Sequence, residues 1–149
     1  TPATFEGELY SSVVERFAHD AELFESTCVG LVEQIEKGDL DSEKTLNILE
    51  KALRPMMDKN IDTIVLGCTH YPFVIPRIKE IVGEKVHVID PTPAIVKQVG
   101  RILDESGLIN EVTDQGTTEI YTSGNPAEVE AIILKLLGET IKVKKHEIN

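Results

Sequence analysis

Leu9, Val13 and Phe17, with Val14 beside them, fall on one stripe at helical spacing, while Glu6, Glu8, Glu15 and Arg16 lie off it. That period predicts a surface helix over 5–19 with one face on a core. Residues 22–29 are short and mixed and read as a strand ending near Cys28. A brief helix over 30–36 follows, stopped by Gly38. Asp41 or Ser42 can cap the next helix, whose apolar positions Leu46, Leu49 and Leu53 recur at helical spacing; Pro55 kinks it or restarts it. The clearest strand is 61–66, a short run rich in β-branched residues whose near-continuous apolar character predicts burial on both faces.

Residues 67–71 then make a tight connection, and Pro72 suits the first position of a helix running to about Val82. The alternation continues with a strand over 86–89, a turn over 91–93, a helix over 94–105, a strand over 118–121 and a helix over 126–137. Between the last two elements and what precedes them, 106–117 carries the Gly, Asn and Asp of a loop or a change of domain. Strand followed by helix, repeated, argues for an α/β fold: a parallel sheet with flanking helices.

Composition narrows the function classes. Apolar residues at 41% and charged residues at 28% suit an ordered globular chain of 149 residues, long enough for one domain or for most of one plus a piece of another. Fifteen basic against twenty-six acidic residues leave a formal charge of −11, which repels nucleic-acid backbones and anionic membrane surfaces. The one basic cluster, Lys142, Lys144 and Lys145, reads as a solvated tail. No apolar run is long enough to span a bilayer and no secretory leader opens the chain, so the expected location is cytoplasmic. Cys28 and Cys68 are too few for a secreted disulfide scaffold and are expected as free thiols. The opening Thr1-Pro2, without a methionine or an initial strand, reads as a cut beginning.

The chemistry concentrates in Leu66-Gly67-Cys68-Thr69-His70-Tyr71-Pro72. Ligands of parallel α/β sheets collect beyond the carboxyl ends of strands, and Cys68 lies just past the most convincing strand. Gly67 allows a sharp turn and a close ligand approach. The helix that follows offers a positive dipole end, which favours a substrate carboxylate and the thiolate form of Cys68. His70 can hold or deliver a proton, and Thr69 adds a hydroxyl and an N–H. The same residues also admit a plainer reading, a cysteine packed as a small hydrophobe beside a solvated histidine. A zinc site is disfavoured because Cys-x-His lacks two further ligands. His19, His87 and His146 have no partner at metal or triad spacing, Met56 and Met57 read as core filling, and Ser123-Gly124 as a turn.

Leu66 to Pro72 resembles the second cysteine motif of glutamate racemases. Thr1-Pro-Ala-Thr4, with Phe5, Gly7 and Tyr10, is similar to the family's paired-threonine segment. The stretch from Cys28 to Gly38 resembles the one ending in an acidic residue that faces the substrate's amino group. Asp90-Pro91 and Tyr121-Thr-Ser-Gly124-Asn-Pro resemble the region crossing back into the first domain. The resemblance implies a second racemase domain over 1–90 and, over 91–149, a crossover helix and strand–helix returning to the first.

It also implies cofactor-independent racemisation of glutamate, one cysteine removing the α-proton from one face and a second returning a proton to the other. Carried over, Cys68 is the base toward L-glutamate with His70 assisting, and Thr1, Thr4, Glu36 and Thr69 contact the substrate. No metal or other cofactor is implied. The family's first half, with the other cysteine, has no counterpart here, so the missing N-terminal half is the expected partner, the fragment alone is expected to be inactive, and a homodimer is left open. Cys28 matches a different family position and is expected in the core. The alternatives are another amino-acid racemase, such as one for aspartate, from which His70 after Cys-Thr points away, and a non-catalytic ligand-binding module. A thiol hydrolase would need a base and an orienting acid beside Cys68 that spacing does not place.

Overall fold

The computed structural model describes residues 5–110 and 116–147. In order these form α1 (Glu8–Phe17), α2 (Leu31–Glu36), α3 (Glu43–Met57), β1 (Thr63–Val65), a 3₁₀ turn (Tyr71–Val74), α4 (Ile75–Val82), β2 (His87–Ile89), α5 (Thr92–Glu105), β3 (Ile120–Thr122), α6 (Pro126–Leu137) and β4 (Val143–Lys145). Strands and helices alternate from β1 onward, and each strand pair is parallel. β1 runs beside β2 in the register Thr63–His87, Ile64–Val88, Val65–Ile89, and β3 beside β4 in the register Ile120–Val143, Tyr121–Lys144, Thr122–Lys145. The α/β class is as expected, built as two strand–helix–strand units.

Leu31 and Ile35 of α2, Leu49 and Leu53 of α3, Ile64 and Leu66 at β1, Val74 of the 3₁₀ turn, and Ile78 and Val82 of α4 form one buried cluster. Positions 31 and 35, 49 and 53, and 78 and 82 are each four apart, so each of these three helices turns one stripe inward. Burial takes these side chains out of water, roughly 1.5–3 kcal/mol for each large one. Ser42, not Asp41, caps α3: its Oγ accepts from Thr45 N–H at 3.3 Å. Thr45, fully buried, gives its own hydroxyl to the Asp39 carbonyl at 2.8 Å. Asp41 instead accepts from Arg77 Nε at 2.7 Å, tying the start of α3 to α4. Pro55 neither breaks nor restarts the helix, which continues to Met57; so near the end only one internal hydrogen bond is forfeited. Met57 packs against the core and Met56 does not join it.

Several expectations are corrected. Residues 22–29 form no strand: no described strand lies beside them to complete a ladder, and unpaired extended backbone is not a stable strand in water. β1 is buried on one face only, because Val65 remains 65% exposed while Ile64 and Leu66 are covered. The stretch after Cys68 is a 3₁₀ turn before it becomes α4, so Pro72 starts a tighter helix than expected. Lys144 and Lys145 are exposed as expected but form no tail: they lie in β4, where Val143 is buried and Lys144 pairs with Glu119. α1 is amphipathic as expected, yet its stripe lies on no core: Leu9 and Phe17 are exposed and the helix buries nothing.

Candidate active site

Leu66 N–H donates to the Ile89 carbonyl at 3.1 Å, so parallel pairing with β2 runs one residue past β1. Gly67 and Cys68 therefore stand just beyond the carboxyl end of a paired strand, where α/β sheets present ligands. Tyr71 N–H closes back on the Cys68 carbonyl and Phe73 N–H on that of His70, both at 3.2 Å. This tight turn holds Cys68 and His70 on one side. A β-carbon at Gly67 would meet nothing within 4 Å, so the backbone there is open to an approaching molecule.

Cys68 Sγ lies 4.0 Å from His70 Nδ1, and Thr69 Oγ1 lies 3.4 Å from the same nitrogen. On the far edge of the ring, His70 Nε2 is 3.2 Å from Glu36 Oε1. Glu36 arrives from the last turn of α2, which packs on the 3₁₀ turn. An ionised carboxylate only accepts, so Glu36 fixes the imidazole proton on Nε2 and leaves the Nδ1 lone pair toward the sulfur. Four of the expected site residues, Cys68, His70, Glu36 and Thr69, thus meet at one strand end. Thr1 and Thr4 lie outside the described residues.

Sequence reasoning missed two relations here. The Glu36–His70 contact spans 34 positions and has no local signature. Tyr71, quoted in the motif without a role, directs its phenol at Cys28, and burial followed by the charge of the neighbouring Cys28 pushes its pKa up to about 12. Burial also pushes the Cys28 thiol up. Cys28, expected in the core, is partly buried and packs against its margin; Cys68 is partly buried as well, and both are free thiols. Among the described residues no three His, Cys, Asp or Glu side chains gather to hold a metal. Two shallow concavities run along α3, lined by residues such as Lys44, Ile48 and Lys51, and neither includes Cys68.

The remaining marked residues take structural places. His19 pairs with Asp20 at 3.2 Å, and His146 stacks edge-on against Tyr121 and donates its N–H to the Thr122 carbonyl. Gly124 N–H closes a turn on Thr122 Oγ1, and Asn125 caps α6. No helix among the described residues is long and apolar enough to cross a membrane.

Comparison with known proteins relates the chain to glutamate racemases. A glutamate racemase from Roseiflexus is 41% identical over 137 residues, which is 91% of this chain and 50% of the relative. One from Pseudomonas aeruginosa is 37% identical over 97% of this chain and 54% of its own length. The chain spans about half the length of the curated relatives it matches. Among solved structures, glutamate racemase from Francisella tularensis in complex with D-glutamate superposes with a TM-score of 0.84 at 26% identity, covering all of this chain and 55% of that one. With residues 1–99 matching the model of the Asp/Glu/Hydantoin racemase family, and the thiol, imidazole and carboxylate assembled at one strand end, the chain belongs to that family.

Proposed function

We propose that this chain carries one half of the active site of a glutamate racemase, which interconverts L- and D-glutamate by proton transfer between two cysteines without a cofactor. The observation that carries the reading is the free, partly exposed Cys68 just past the end of β1, linked through His70 to Glu36. The relatives named glutamate racemase and the neighbour in complex with D-glutamate support the choice of substrate.

Cys68 is the base toward L-glutamate and the acid in the reverse direction. His70 takes or supplies the thiol proton through Nδ1. Glu36, Thr69, Thr1 and Thr4 contact the substrate. A second thiol comes from an N-terminal half that precedes this one, because a lone base tends to return the proton to the face it came from. The chain alone is then inactive as a racemase. Residues 1–90 belong to the second domain, and 91–149 carry the crossover helix and the strand–helix that returns to the first. The product D-glutamate feeds peptidoglycan synthesis in the cytoplasm.

Surface area supports the need for a covering half. The chain exposes 11510 Å², against the roughly 7,600 Å² of a compact monomer of its mass. The test is to assay this chain joined to its N-terminal half with glutamate and with aspartate in deuterated water. Deuterium should enter the α-position of glutamate, and Cys68→Ala should lower that rate by about 10²–10⁴, the worth of a positioned base. Exchange on aspartate alone would overturn the assignment.

A further inference from the structure

The contacts from Glu36 to His70 to Cys68 support a chemistry that proton transfer at carbon does not use. We propose that this site is also a nucleophilic acyl-transfer centre, which hydrolyses activated esters and thioesters through a thioester formed on Cys68. The structure supplies what residue spacing did not, a base and an orienting acid beside the thiol. Nucleophile, base and acid lie in line, with Sγ 4.0 Å from Nδ1 and Nε2 3.2 Å from Oε1. That order is what activates a weak thiol nucleophile. All three groups belong to this chain. Racemisation needs bases on two faces of the substrate, whereas acyl transfer needs one thiol on one face.

Access favours the same reaction. Gly67 offers no side chain, and apart from its chain neighbours nothing described lies within 4 Å of where a β-carbon would be, so the turn that carries Cys68 is uncrowded on that side. Nδ1 takes the thiol proton and the thiolate adds to the carbonyl carbon. The tetrahedral oxyanion then collapses, the bond to the leaving alkoxide, phenoxide or thiolate breaks, and the imidazolium returns its proton to that group. Water attacks the resulting thioester with Nδ1 accepting its proton, and the carboxylic acid departs as the Cys68 thiol is restored. Ester and water become acid and alcohol, with no oxidant or reductant. Cys28 is the internal control, since it sits at the core margin and has no imidazole beside it among the contacts of the described residues.

The proposal does not rest on glutamate being the racemase substrate, so the two can fail separately. The experiment incubates the 149-residue chain with p-nitrophenyl acetate, follows p-nitrophenolate release, and maps acetylation in the unaltered chain by mass spectrometry. Acetyl is expected on Cys68 as a transient species, with continued turnover. His70→Asn should lower turnover by about 10²-fold or more, and Glu36→Gln by a smaller factor while Cys68 still becomes acetylated. Cys28→Ala should turn over as the parent does. Stoichiometric acetylation that never turns over, acetyl confined to residues other than Cys68, or turnover indifferent to both His70→Asn and Glu36→Gln would each overturn the proposal. Mapping on the unaltered chain keeps the test decisive if a variant does not fold.

Discussion

At the residue scale, Tyr71 is a perturbed group directly beside the site. Its phenol is half-buried against the core, directed at Cys28 and within electrostatic reach of Cys68, and burial raises its pKa to about 12. A raised tyrosine pKa means the unfolded chain releases that proton first. The contribution is therefore complete below pH about 10, the ordinary tyrosine value, and is lost as pH rises from there toward about 12. Urea midpoints measured across that window should fall with pH, and Tyr71→Phe should flatten the slope; an unchanged slope would show that the phenol is not held as described. The four-atom relation among Sγ, Nδ1, Nε2 and Oε1 has the same character, a property of neighbours that no single residue carries. Cys68, Thr69 and His70 were legible because they are contiguous in one motif. Glu36 was legible only through family resemblance, since its link to His70 crosses 34 positions and passes through the packing of α2 on the 3₁₀ turn.

At the scale of elements, α3 is the best determined. Ser42 accepts from Thr45 N–H, and Leu49, 1% exposed, anchors its inner face. Ser42→Ala should cost about 1 kcal/mol and Leu49→Ala about 2–5 kcal/mol, read as shifts in the denaturation midpoint at constant slope. An effect of Ser42→Ala as large as that of Leu49→Ala would mean that capping rather than burial holds the helix. Periodicity and cap residues announced this helix. Pro72 and the alternation of strand with helix announced α4 and α6; α4 turns Ile78 and Val82 inward, whereas α6 buries no residue. The failures at 22–29 and at β4 share one cause: a strand needs a partner, and a sequence window shows only half of the pair. Residues 22–29 found none among the described strands, whereas Val143 to Lys145 found β3.

For the whole molecule, the uncovered apolar faces are the leading feature. Ile95, Val96, Val99, Ile102 and Leu103 of α5 are all exposed, as are Leu9, Val13 and Phe17 of α1 and the outer residues Val65 and Ile89 of the β1–β2 pair. Isolated exposed apolar residues are ordinary, but whole helix stripes left open mark surfaces meant to be covered. Adding the N-terminal half, joined or co-expressed, should raise the melting temperature of this chain and remove its binding of an apolar dye. Unchanged dye binding would mean that those faces meet something else. One long-range contact already ties α6 to the site: Lys135 Nζ donates to the Lys37 carbonyl at 2.9 Å, directly after Glu36. Gly38, at φ +63°, lies under the Lys135 side chain with no room for a β-carbon. Lys135 is exposed and flexible and can move aside, so Gly38→Ala should destabilise the chain by about the ~1 kcal/mol of an ordinary left-handed glycine; a much larger loss would show that Lys135 is held in place.

The succession of strands and helices from β1 to α6, the inward stripe of α3, and the thiol at a strand end were legible in local residue patterns, because backbone propensity and side-chain period act within a few positions of each other. Tertiary structure alone decided which strands find partners, which face of β1 stays open, and that Glu36 meets His70. Those outcomes depend on bringing distant segments together, and loop-closure entropy and packing, not the residues' own preferences, choose among the possibilities.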